Sequence, residues 1–223
     1  MTLLISSLRR PDVLLTADGR STLRQGTVVT GFRDKTQKLF PVDSQPVVIC
    51  QHGQNMFHGH TIAEIIRNFA ADLIPGRSIR DISVELGIAL HEEVRDTLST
   101  LPEGNAAGVW VVGFGRGEDE PEHAEVFWKW DGDQFVTRES CWRACDIIMA
   151  GDGKNGLKPR LGEIVEASLA TVQSENARLM TAALNADVHP NSVGGHVHEV
   201  VVQPWGWTWT IPPAGPDSKP SSG

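Results

Sequence analysis

Apolar residues in the first fifty positions come in short unbroken runs separated by turn-forming clusters. Residues 3–7 and 13–17 flank the turn Arg9-Arg10-Pro11-Asp12, and residues 27–29, 39–40 and 47–50 continue the series, with a turn at Asp43-Ser44. Such runs predict strands, and their lack of polar alternation predicts burial on both faces. The period then changes. Ile62, Ile65, Ile66, Phe69 and Leu73 recur at helical spacing and stop at Pro75-Gly76. Ile82, Leu86, Leu90, Val94 and Leu98 mark a second helix over 79–101, closed by Pro102. Residues 109–114 and 125–130 read as strands, the latter ending in the turn Asp131-Gly132-Asp133, and 146–150 as another. Residues 161–184 read as two helices broken near Ser174, an N-cap before Glu175. Residues 197–202 make a closing strand, 207–211 one more, and the Pro/Ser/Gly-rich stretch from Pro212 is expected to be disordered.

Strands grouped with strands and helices with helices point to antiparallel sheets under helix layers, not to alternating βαβ units. The expected fold class is α+β: a four-layer αββα sandwich of two antiparallel sheets flanked by helices. One domain covers 1–211 and a tail follows over 212–223.

Composition changes little in this picture. The 223 residues are 40% hydrophobic and 22% charged, enough for a substantial core. A net charge of −8 without any Lys/Arg cluster argues against a nucleic-acid partner or an anionic membrane surface. No stretch approaches the roughly 20 apolar residues of a membrane-spanning helix. Cys50, Cys141 and Cys145 make no disulfide framework, and the opening MTLLISSLRRPD is no export signal. The expectation is a cytoplasmic protein with reduced thiols.

Candidate chemistry begins at Thr2, directly after Met1. Removal of Met1 would place a hydroxyl nucleophile and a free α-amine on one residue. That amine, with a reference pKa of about 7.7–8.0, can take the hydroxyl proton. The opening Thr2-Leu-Leu-Ile-Ser6-Ser-Leu-Arg9-Arg10, followed by Val13-Leu-Leu-Thr-Ala-Asp18-Gly19-Arg20, resembles that of proteasome β-subunits and especially HslV-type peptidases. Thr22-Leu23 and Thr27-Val28-Val29-Thr-Gly31 continue the likeness with one inserted residue, leading to Lys35 in DKTQKLF and Gly53 in ICQHGQN.

The resemblance implies an N-terminal-nucleophile hydrolase: a threonine-type endopeptidase in a self-compartmentalised homo-oligomeric double ring acting on peptides or unfolded proteins. It implies no metal or organic cofactor, and leaves open an unfolding ATPase as partner. On it, Lys35 would lower the Thr2 hydroxyl pKa, and Asp18 would keep Lys35 charged and oriented. The Gly53 N–H would stabilise the tetrahedral oxyanion. Ser21, Arg33, Gln51 and Asn55 would line a polar specificity pocket favouring acidic or polar side chains. Two departures concern tuning of the amine. Gly151-Asp152-Gly153 stands where the family has Gly-Ser-Gly, and a carboxylate there would raise the amine pKa. His189-Pro-Asn191-Ser192-Val-Gly194-Gly195 stands for Asp-x-x-Ser-Gly-Gly, with Asn191 or Ser192 supplying the missing hydrogen bonds. A catalytically silent ring subunit and an amidase for small amides are the alternatives.

Other constellations read as structural. His196 and His198 alternate on a strand with His189 near, and His52, His58 and His60 form a second group, yet neither brings the further ligands zinc requires. Cys141 and Cys145 read as packing residues. Gly113-Phe-Gly115-Arg-Gly117 is followed by Glu-Asp-Glu-Pro, which suits a hairpin and not a dinucleotide loop. Trp205, Trp207 and Trp209 are expected to bury a terminal strand.

Overall fold

The computed structural model describes residues 2–25, 28–57, 59–98, 106–129, 135–139, 146–151, 154–161, 164, 166–186 and 193–215. Residues 26–27, Leu101, Pro102, the turn 131–133 and the tail from 216 lie outside that set.

Five strands, β1 (Leu4–Leu8), β2 (Val13–Ala17), β12 (Ile147–Ala150), β13 (His198–Gln203) and β14 (Gly206–Ile211), form one antiparallel sheet in the order β12-β1-β2-β13-β14. Five more, β5 (Leu39–Val42), β6 (Val47–Gly53), β9 (Ala106–Gly113), β10 (Glu122–Lys129) and β11 (Val136–Glu139), form a second in the order β11-β10-β9-β6-β5. Their inner faces meet through Leu4, Leu15, Val48, Cys50, Trp110, Val112, Val200 and Val202. At one edge Trp207 of β14 donates its indole N–H to the Val42 carbonyl of β5 at 3.0 Å. That bond fixes which edges of the sheets coincide.

Both faces of each central strand are covered, which is why these strands show no polar alternation. Helices α1 (Ile62–Asp72) and α2 (Ile79–Leu98) lie on the second sheet, with Ile66, Ile82, Leu86 and Leu90 packing on Ile49, Val109, Val111 and Val126. α1 starts in a capping box: Thr61 Oγ1 accepts the Glu64 N–H while Glu64 accepts the Thr61 N–H. Helix α3 (Leu169–Leu184) lies on the first sheet, with Leu179 and Met180 against Leu3 and Ile5, and Val172 against Leu14 and Val201.

The αββα expectation is corrected. The described residues hold fourteen strands in four sheets and three helices, so the protein is mostly β. Two small ribbons, β3 (Ser21–Gln25) with β4 (Val28–Arg33) and β7 (Met56–Phe57) with β8 (His60–Thr61), stand outside the main sheets. Among the described residues of 161–184, one unbroken helix runs through Ser174 and covers the first sheet. It begins at Leu169 because Ser168 caps it, accepting the Thr171 N–H at 3.2 Å. Ser174 lies inside that helix. The Glu175 carboxylate is drawn to Arg178 and the Arg160 N–H, so it takes no part in a cap.

Replacing Leu86, fully buried beneath α2, by Ala is expected to cost about 3 kcal/mol in urea unfolding. Val84→Ala, on the exposed face of the same helix, should stay within about 0.5 kcal/mol.

Candidate active site

Pairing of β1 with β2 places Ala17 opposite Leu4, so Asp18 meets the chain just after Thr2. Asp18 is fully buried, and its Oδ1 accepts the Leu3 N–H at 2.9 Å. Oδ2 accepts N–H groups from Gly194 at 3.1 Å and Arg20 at 3.3 Å. The fourth donor is Lys38, whose Nζ lies 2.6 Å from Oδ1 and 2.7 Å from the Arg20 carbonyl. Lys38 is 2% exposed. Burial pushes its pKa down, and the Asp18 charge works against that shift.

The lysine that meets Asp18 is therefore Lys38, where the sequence reading had expected Lys35. Lys35 is exposed, in the segment after β4. That segment is held between the residues after β2 and those before β13, with the Thr36 N–H on the Gly19 carbonyl and the His196 N–H on the Asp34 carbonyl, both at 2.8 Å. The detour delays entry of the lysine until the residue before β5. A signal for this exists in the sequence: Lys38 directly precedes the apolar pair Leu39-Phe40, so it is carried into the sandwich by the strand.

Thr2 is 4% exposed. The turn after β12 closes over it: Gly151 has φ +86°, and a Cβ there would overlap the Thr2 carbonyl. Gly53 ends β6 at φ +77°, where a Cβ would strike the Ala106 carbonyl. Two residues earlier the Gln51 N–H donates to the Lys38 carbonyl at 3.0 Å, so the end of β6 runs beside the lysine. Asp152, His189, Asn191 and Ser192 lie outside the described residues, as do Cys141, Cys145 and His58.

Of the expected pocket residues, Ser21 and Arg33 are register partners on the ribbon that rises from Asp18, with Arg33 exposed. Gln51 is buried, its amide donating to the Gln37 carbonyl at 3.3 Å, while among the described residues its Oε1 has no partner. The half-buried Asn55 likewise has a buried Oδ1 without a partner.

Sequence reasoning missed the frame around the pair. Arg20 holds Asp34 through two bonds of 2.6 and 2.9 Å and stacks over Phe32 at 4.9 Å. His196 and His198 have separate roles: exposed His196 contacts the Pro212 carbonyl, whereas buried His198 accepts the Lys38 N–H at Nε2. Desolvation lowers the His198 pKa to about 4. A second cluster sits on the inner face of the other sheet. There His52 Nε2 is 3.4 Å from Glu125 Oε1, and the Trp110 ring lies edge-on to both His52 and His123. Burial lowers the His123 pKa to about 4 as well. Among the described residues no three His, Cys, Asp or Glu side chains are grouped to hold a metal ion. None of the described helices is long and apolar enough to cross a membrane.

No family model and no curated protein matches this chain. Its fold is similar to a solved chain from the helical assembly of the Anbu complex of Pseudomonas aeruginosa. The two superpose with a TM-score of 0.67 over 96% of this chain and 88% of that one, at 14% identity. At that identity the likeness concerns the fold alone. Membership of the proteasome β-subunit and HslV group, expected from the opening motif, is corrected by these findings. No family model supports it, and the lysine register on which it leaned does not hold in space.

Two predictions follow from this geometry. Lys38→Met should destabilise the protein by about 3–5 kcal/mol, because Asp18 is left as a lone buried charge. The double variant Asp18→Asn/Lys38→Met should recover much of that loss, and Lys35→Met should leave the urea midpoint unchanged. His123 and His198 stay neutral in the folded protein down to about pH 4, whereas an unfolded histidine protonates near 6.5. Their folded-state pKa values are depressed, so stability is full above pH 6.5 and falls as pH drops towards 4, by on the order of 3 kcal/mol for each. Urea titrations across that window should show the decline, with a shallower slope in His123→Gln.

Proposed function

We propose that the protein is an N-terminal-threonine amidohydrolase cleaving peptide bonds, with Thr2 as nucleophile once Met1 is removed. The observation that carries the reading is the buried Lys38–Asp18 pair, whose carboxylate also holds the Leu3 N–H next to Thr2. Nothing in strand packing calls for a lysine there, and burying it is costly. Beside a hydroxyl it has a use: a fixed positive charge favours the alkoxide.

In the proposed reaction the Thr2 α-amine takes the hydroxyl proton and Oγ1 attacks the substrate carbonyl. The negative charge moves to the carbonyl oxygen, where the Gly53 N–H is the candidate donor. Collapse expels the amine half of the substrate, which receives the proton. Water then attacks the remaining ester at Thr2, releases the acid and restores the hydroxyl. Ser21, Arg33, Gln51 and Asn55 are the proposed contacts for the substrate side chain, with Asp152 and Ser192 proposed near the amine.

Assembly with copies of itself belongs to the same proposal. Its support is the fold shared with a chain that assembles helically. A closed ring or an open helical array would confine the substrate to a sheltered surface, and no cofactor enters the chemistry.

The test is incubation with a peptide epoxyketone or β-lactone, followed by peptide mass mapping. A single adduct on Thr2 is expected, reduced about 100-fold in both Lys38→Met and the Asp18→Asn/Lys38→Met double variant. Lys35→Met should react at the wild-type rate. Met1 retained, or no adduct on an exposed Thr2, would leave a silent assembly subunit as the better account.

A further inference from the structure

His198 and Lys38 are 160 positions apart in sequence and in hydrogen-bond contact in space. His198 opens β13 in the first sheet and is 1% exposed. Lys38 leads into β5 in the second sheet. The ring Nε2 accepts the Lys38 backbone N–H at 3.1 Å, while the Lys38 carbonyl accepts the Gln51 N–H at 3.0 Å. One sheet thus holds one side of this residue's backbone and the other sheet holds the opposite side. The lysine side chain then reaches back to Asp18 and the Arg20 carbonyl.

Resting on the role of Lys38 given above, we infer that His198 is a positioning residue: it fixes the main chain from which the site's lysine is presented to Asp18 and Thr2. The bonds at Nζ hold the end of a flexible four-carbon stem and leave its root free. Among the described residues, the histidine contact is the hydrogen bond that ties the Lys38 N–H itself to the sheet that carries Asp18. A misplacement of about 1 Å at a reacting group costs on the order of 100-fold in rate, which sets the scale of the effect.

The role requires a neutral ring with a bare Nε2. Nδ1 then carries the proton and faces the His196 carbonyl at 3.5 Å. Charged or titratable groups reach the ring from Lys38 and from His196, two residues before β13 begins. Ala17, its register partner on β2, and the Trp209 ring of β14, 6.4 Å away, bring none. Protonation would set an N–H against the Lys38 N–H and add a charge beside its ammonium.

Two readouts test this independently of whether Thr2 reacts. Imidazole nitrogen shifts of the full-length protein should show His198 with Nδ1 protonated and Nε2 bare at neutral pH. Hydrogen exchange at the Lys38 amide should be slow in wild type and in His198→Gln, which keeps an acceptor of similar reach. In His198→Leu it should be about 10-fold or more faster, with β1 and β2 still protected. Labelling of Thr2 by a β-lactone should then fall about 100-fold in His198→Leu at unchanged half-saturation, and return to within about threefold in His198→Gln. A protonated Nε2 in wild type, or equal Lys38 exchange in wild type and His198→Leu, would overturn the inference. So would wild-type labelling in the leucine variant. Absence of labelling in wild type itself would count against the hydrolase reading alone, because the nitrogen shifts and the exchange still decide the role of His198.

Discussion

A carboxylate that loses its water must recover the lost hydrogen bonds from the chain, and Asp18 does so from four directions. Leu3 brings β1, Arg20 brings the start of the β3–β4 ribbon, Gly194 brings the segment before β13, and Lys38 brings the approach to β5. None of these donors can move far without leaving a charge unpaired in a dry interior, where such a fault costs several kcal/mol. The carboxylate therefore dictates the local arrangement of both sheets. Gly151, whose missing Cβ leaves room for the Thr2 carbonyl, and the His198 ring, which holds the Lys38 N–H, border the same centre.

Around this centre the protein spends little of its chain on helix. Two helices seal the second sheet and one seals the first, while the inner faces meet through aliphatic side chains and Trp110. Such packing gives a rigid floor from which the ends of β2 and β6 and the start of β13 project together. Ribbon β3–β4, with exposed Val29, Phe32 and Leu23, rises from the same end.

The helices α1 and α2 were legible in the sequence because their apolar positions repeat at 3.6 residues. Most strands were legible as apolar runs. Ser174 does not break the helix, because the cap that starts it is Ser168, whose hydroxyl accepts the Thr171 N–H, while Glu175 is engaged elsewhere. Arg178 and the Arg160 N–H bind it. Balance between helix and strand was misjudged for a related reason. Short ribbons such as β7–β8 have too few residues for a period to show.

The sequence by itself determined the strand-forming runs, the two amphipathic helices and the pairing of β1 with β2 that sets Asp18 beside Leu3, since adjacent antiparallel strands joined by a short turn leave little choice of register. Only the tertiary structure decided which lysine meets Asp18. Lys35 and Lys38 differ by three residues in a connection of no regular period, and local pattern cannot rank them. The choice was made by contacts from distant parts of the chain: the Asp34 carbonyl held by His196, the Gly19 carbonyl held by Thr36, and the Lys38 N–H held by His198. Those bonds set how much chain is used before β5 begins, and with it which side chain arrives in the buried pair.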